Sequence, residues 1–314
     1  MGSSRYGGRT IVNDLSSCPR FGRLVFATCT NTPKEMASVR LLIESIRSFG
    51  GRLSKSPIWL FQDVASSDLA DIDHETDVDV LPMTVPESIK DYELSEKVWA
   101  CAEAERLAAS NVRSLVWLSP DTLIVNPPVL YELGDMYDAA LRPVHIKNVG
   151  LATSEPLDGF WDGVYRSAGI ADTDFTIESF VDEQEIRAYF NSHSYCVNPS
   201  IGLFRQWLNC FEKLVCDPAF QDSSCSDDLH MTFLHQAVLS ALTVAMIPPE
   251  RIQIIPTTYS YPYNLQSSVP SGNRAKELNQ LVSVVYEDLP LHPDYIEGIE
   301  VREPLRSWLV GRHS

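Results

Sequence analysis

Two periods of apolar residues alternate along this chain. The run Leu24-Val25-Phe26-Ala27-Thr28-Cys29-Thr30 is continuously apolar and turns polar at its end, which predicts an inner parallel strand. Thr32-Pro33-Lys34-Glu35 then reads as a capping box with proline at the first helical position. Met36, Val39, Leu42, Ile43, Ile46 and Phe49 share one face of the predicted helix, and Gly50-Gly51 stops it. Short strands follow at 57–61 and 77–83, with an acidic surface segment between them. A helix from Ser95 to about Ser110 sets Leu94, Val98, Cys101, Ala102 and Ala108 on one face. The stretch Ser114-Leu115-Val116-Trp117-Leu118 predicts a buried strand that breaks at Ser119-Pro120-Asp121, before a second apolar run and Pro127-Pro128. This order predicts a doubly wound α/β domain with Asp121 at a strand tip. Ligands bind beyond the carboxyl ends of such strands, so Asp121 is either a ligand-handling group or a turn residue.

In the second half, 139–144 predicts a strand, and 147–182 shows little periodicity, as expected of a substrate-side excursion. Residues 189–197 predict a strand interrupted by small polar residues. Leu203, Trp207, Cys210, Phe211 and Leu214 make an amphipathic helix that Asp217-Pro218 ends. Asp227-Asp228 caps a longer helix with Met231, Leu234, Val238, Leu242 and Ala245 on one face, closed by Pro248-Pro249. Strands at 252–255 and 282–286 flank an aromatic turn, 259–264, and a His292-Pro293 turn follows. The expected organisation is a frayed arm, 1–20, and one domain, 21–314.

Composition narrows the function classes. Hydrophobic residues at 44% and charged residues at 21% describe a globular chain long enough, at 314 residues, to bury a sizeable core. The formal charge of -17 repels phosphate backbones and excludes nucleic acid as the expected partner; an anionic substrate needs locally placed cations or a metal. Seven cysteines without a Cys-x-x-Cys pair fit reduced thiols. With no apolar run of about 18 residues and no signal-like N-terminus, the expected location is the cytoplasm, with no transmembrane segment.

Several segments in this order resemble the GT-A glycosyltransferases, the nucleotide-diphospho-sugar transferase fold, over roughly residues 21 to 265. LVFATCTNTP resembles the family's first βα unit, Lys97 with Trp99-Ala100 its K-x-x-A helix, and VWLSPDTLIVNPP the strand bearing its Asp-x-Asp motif. Phe190-Asn191-Ser192 resembles the acceptor-side FNSG strand, and His235-Gln236-Ala237-Val238-Leu239 the helix reading Asp-Gln-x-x-Leu. The chain departs from the family at Ser119, where the first acid would stand, at His193 in place of glycine, and at His235 in place of an acid. The resemblance implies a mostly parallel sheet with a smaller acceptor-side region, a nucleotide-binding half at 21–130 and an acceptor-side half at 131–314. It implies a nucleoside-diphosphate sugar donor, an acceptor of unknown identity, and Mg²⁺ or Mn²⁺.

On that reading Asp121 is the metal ligand and a catalytic residue, and His292 supplies a second ligand. The divalent ion would neutralise the leaving diphosphate. Thr28, Thr30 and Asn31 bracket the base or ribose or simply cap the helix, Ser119 lies on the donor side, and Lys97 is either a phosphate-side cation or a solvated lysine. His235 is a candidate base, its reference pKa lying near neutrality, or a histidine at a helix interface. Asn191, His193 and Tyr195 share one face by strand alternation and line the acceptor pocket with Gln236. A non-catalytic nucleotide- or glycan-binding protein of the same fold is the second class, suggested by the loss of acids at Ser119 and His235.

Overall fold

The computed structural model describes residues 23–63, 77–108, 111–287, 289, 291, 293, 296 and 298–312. The N-terminal arm, residues 64–76 with most of the acidic segment, and His292 lie outside the described residues.

The predicted first unit forms as β1 (Leu24–Thr30) and α1 (Pro33–Phe49). Thr32 caps α1 by accepting from the Glu35 amide at 3.2 Å, while the Glu35 carboxylate accepts from the Asn31 amide at 2.7 Å. The reciprocal box is thus displaced by one residue, and it draws the backbone after β1 tight against the helix start. β2 (Ile58–Asp63), β3 (Val78–Met83), α2 (Ser95–Ala108), β4 (Ser114–Leu118) and β5 (Thr122–Ile124) complete the first half.

The second half comprises β6 (Ala139–Pro143), α3 (Gly159–Ala168), the hairpin β7 (Thr176–Glu178) and β8 (Glu185–Arg187), β9 (Phe190–Val197), α4 (Leu203–Val215), α5 (Pro218–Ser224) and α6 (Asp228–Met246). It closes with β10 (Ile252–Ile254), β11 (Tyr261–Pro262), β12 (Ser283–Val285) and α7 (Leu305–Val310). Two helices depart from expectation. α3 lies inside the stretch expected to be irregular, although Asp158 caps it and Gly169, at φ 80°, terminates it. Asp217-Pro218, read as the end of α4, is also the cap and first turn of α5.

The main sheet has seven strands in the order β10-β6-β9-β4-β1-β2-β3. β9 runs antiparallel to both β4 and β6, and the other pairings are parallel. The carboxyl ends of β1, β4, β6 and β10 therefore share one edge. α2, α4 and α6 cover one face with the largest apolar cluster, and α1 covers the other. The three-stranded sheet β11-β12-β5 sits over the end of β4, and the Tyr286 amide donates to the Asp121 carbonyl at 3.1 Å.

α6 corrects one expectation. It is long and apolar enough to cross a membrane, but Leu234 through Thr243 are buried, so its apolarity is that of a core helix packed on α3, α4 and β9. α4 is held by a residue with no counterpart in the sequence reading: the buried Glu105 carboxylate accepts from the Phe204 and Arg205 amides at 3.1 and 2.9 Å, at the positive end of the α4 dipole.

Candidate functional site

A cavity of about 610 Å³ opens beyond the carboxyl ends of β1 and β4. This is within the ordinary range for a small-molecule site. β1 contributes Cys29 and, just past its end, Asn31; the break after β4 contributes Ser119 and Asp121; α2 contributes Lys97, β9 Ser192 and His193, and α6 His235 and Gln236. The capping box and the turn after β4, in which the Thr122 amide donates to the Ser119 carbonyl at 3.1 Å, fix two of these walls.

Buried at its floor is a connected chain of polar groups. Lys97 Nζ donates to Ser192 Oγ at 2.9 Å, and Ser192 Oγ lies 2.9 Å from His235 Nε2. His235 Nδ1 is 2.8 Å from the Thr232 carbonyl, which can only accept, so Nδ1 carries the proton and Nε2 accepts from the Ser192 hydroxyl. Gln236 Oε1 accepts from the Ser192 amide at 3.1 Å. Lys97 is 7% exposed, which rules out the solvated-lysine reading. Burial lowers its pKa to about 8, against the opposing pull of the Cys101, Asp121 and Cys29 side chains.

His235 is corrected as a candidate base. Burial, followed by the Lys97 charge, drives its pKa well below 6.5, and its one accepting nitrogen is turned to Ser192. It holds Ser192 in place, and Trp207 Nε1 bonds its carbonyl at 2.7 Å from α4. Its position at a helix interface is thus also observed.

Asp121 meets His193, whose Nδ1 lies 3.7 Å from Asp121 Oδ2, while His193 Nε2 lies 3.9 Å from Glu287 Oε1. Burial opposes the Asp121 carboxylate, but the His193 imidazole and the Lys97 ammonium outweigh it and hold the pKa below the usual carboxylate value. Asn191 does not line the cavity; its Oδ1 accepts from the His193 amide at 2.8 Å and so shapes the backbone there. Glu287, reaching in just after β12, has no signature in the local sequence because only the closure of the small sheet over β4 brings it here. Ser192 was visible as part of the FNS resemblance, without a role.

Three further expectations for side-chain placement fail. Thr28 and Thr30 are buried on the opposite side of β1 from Cys29 and Asn31, as strand alternation requires. Tyr195 is in the core, 1% exposed and hydrogen-bonded to Thr243 of α6. Ser192 and Tyr195, three residues apart, both reach α6, so the alternation expected to align Asn191, His193 and Tyr195 is broken. The irregularity is visible in the pairing of β9 with β6, where Leu141 faces Tyr195 but Pro143 faces Phe190.

Among the described residues no group of three His, Cys, Asp or Glu side chains converges as a metal cage. The oxygen donors present, the Asp121 and Glu287 carboxylates, are of the hard type that suits Mg²⁺ or Mn²⁺, and the His193 imidazole lies between them. They fit an ion that takes its remaining ligands from a bound anion and water, which is how Mg²⁺ is commonly held.

The mixed, mostly parallel central sheet is that of the GT-A fold. Two solved neighbours share it: the galactosyltransferase LgtC in complex with donor and acceptor sugar analogues, at TM-score 0.50 and 13% identity over 86% of this chain and 90% of that chain, and an active-site glutamine-to-glutamate mutant of LgtC, at TM-score 0.52 and 12% identity over 91% and 95%. No protein-family profile and no curated protein sequence matches the chain.

Proposed function

We propose that the protein is a glycosyltransferase that transfers a sugar from a nucleoside-diphosphate donor bound in the 610 Å³ cavity. One observation carries the reading. Segments scattered over more than two hundred residues, each resembling a GT-A motif, deliver Asn31, Lys97, Asp121, Ser192 and Gln236 to the walls of a single cavity at the sheet edge where α/β folds bind ligands. The neighbour LgtC binds donor and acceptor sugar analogues, and its active site contains a glutamine. Gln236 is a glutamine of this cavity, held by Ser192.

The charge balance of the wall supports assistance by a divalent cation. Glu35, Glu93, Glu96, Asp121 and Glu287 line it against Lys34, Lys97 and His193, so a diphosphate entering without a cation meets net repulsion. Asp121 would hold the ion together with the diphosphate and water; when bound, the ion neutralises charge on the leaving diphosphate. Lys97 contributes a fixed ammonium at the floor, pre-oriented by Ser192, which costs no reorganisation as charge develops. The buried Trp117 indole and the Ser119 turn line the cavity beside Asp121, whose carboxylate is half-buried.

The test is thermal stabilisation by UDP-, GDP- and ADP-sugars with and without Mn²⁺. A donor present at 100 times its Kd stabilises the fold by about 2.7 kcal/mol. Asp121→Ala is expected to abolish that stabilisation; if the variant responds like the wild type, the proposal is wrong. Ser119 in place of an acid, and the buried neutral His235, favour a second reading, a non-catalytic nucleotide binder. Metal-independent stabilisation by one nucleotide, with no donor turnover, would select it.

A further inference from the structure

A second cavity, of about 500 Å³, lies on the same sheet edge, beyond the carboxyl ends of β6 and β10. Thr176, Ser179 and Phe180 line it from the β7 hairpin side, with Thr257, Asn273 and Arg142. Arg142 is the unusual member. Its residue is 3% exposed, and its Nε and Nη2 have no hydrogen-bond partner among the described residues. Leaving a cation buried without an acceptor costs several kcal/mol, so such a group calls for an anion.

The two unpartnered nitrogens also specify the shape of that anion. Nε and Nη2 form one edge of the guanidinium, spaced to meet both oxygens of a carboxylate. Elsewhere this chain uses that same edge in this way: Arg106 on Glu103, Arg187 on Asp172 and Arg302 on Glu300 each place Nε and Nη2 on the two oxygens of one carboxylate side chain. Those edges are satisfied within the protein, and the Arg142 edge is not. A ring pair lies between the end of β6 and the first cavity. His145, buried two residues beyond β6, stacks on His193 with ring centroids 6.5 Å apart, and His193 lines the donor cavity beside Asp121.

We propose that the second cavity is an acceptor subsite for a sugar bearing a carboxylate, which Arg142 grips side-on while His145 and His193 separate it from the donor. This rests on the glycosyl-transfer reading above. It also answers the acidity of the chain, since at a formal charge of -17 an anionic acceptor needs a dedicated buried cation. Both nitrogens are closed off from solvent, so the wall gives way on binding; the Phe180 ring, 5.2 Å from the guanidinium carbon, is the group stacked on it.

The experiment measures binding of glucuronate, glucose and inorganic phosphate to the full chain by thermal shift and calorimetry. Glucuronate is expected to bind and glucose not, and Arg142→Lys and Arg142→Met are each expected to weaken glucuronate binding about tenfold or more, the scale of a lost charge-assisted bidentate pair. Equal responses to glucuronate and glucose, or an unchanged glucuronate response in folded Arg142 variants, overturn the proposal. So does phosphate binding with no glucuronate binding, which describes a free-anion site. If neither variant folds, hydrogen exchange on the wild type decides: glucuronate must slow exchange at 176–180 where glucose does not. Nucleotide-sugar stabilisation through Asp121 is read separately. Its presence without a glucuronate response defeats the subsite alone, and a glucuronate response without any donor response defeats the glycosyl-transfer reading and the acceptor role with it.

Discussion

Replacing Lys97 with methionine tests the site where its electrostatics are most exposed to measurement. Lys97 is buried, and its pKa falls from 10.5 to about 8. At about 1.36 kcal/mol per pH unit, that fall means the folded state bears a penalty of about 3 kcal/mol for keeping the ammonium charged at pH 7. Methionine preserves most of the buried stem and removes the charge. The attraction to Asp121 is already contained in that pKa, and the loss of the bond to Ser192 Oγ returns about 1 to 2 kcal/mol of the gain. The expected net effect at pH 7 is a more stable protein, by about 1 to 2 kcal/mol in urea unfolding, that no longer responds to donor nucleotide. The pH dependence has a definite sign. Because the folded pKa lies below the unfolded one, the wild-type penalty is complete below pH 8 and is relieved as pH rises toward 10.5, so the advantage of Lys97→Met must shrink across that window. A variant less stable than wild type at pH 7, or an advantage that does not change between pH 7 and pH 10, would refute the account of Lys97 as a strained, functionally retained cation.

Two further substitutions separate the floor of the site from the core. Ser192→Ala leaves the buried His235 Nε2 without its donor and Lys97 without its acceptor, and is expected to cost about 2 to 4 kcal/mol in urea unfolding together with weaker donor response. A neutral result would mean the chain Lys97-Ser192-His235 is not coupled. Tyr195→Phe removes only the bond to Thr243 and is expected to cost about 1 kcal/mol while leaving donor and glucuronate binding unchanged; altered ligand binding would return Tyr195 to the acceptor site.

Local rules in the sequence determined a good deal of this protein. The capped α1, the buried β4 ending at Asp121, and the long α6 between Asp227 and the double proline are all decided by period, cap and breaker residues, and they form where those rules put them. The sequence also carried the order of strands and helices that makes the GT-A fold, and hence the common edge at which Asn31, Lys97, Asp121 and Gln236 meet. What only the tertiary structure decided are matters of facing and burial. The irregularity in β9 turns Tyr195 into the core, the closure of the small sheet brings Glu287 beside His193, and packing on α2 and α6 buries Lys97 and neutralises His235. Arg142, an ordinary arginine at a strand end when read in sequence, becomes a buried guanidinium whose Nε and Nη2 lack a partner among the described residues only when the β7 hairpin and β10 enclose it. Desolvation and side-chain direction depend on neighbours distant in the chain, and no local pattern encodes them.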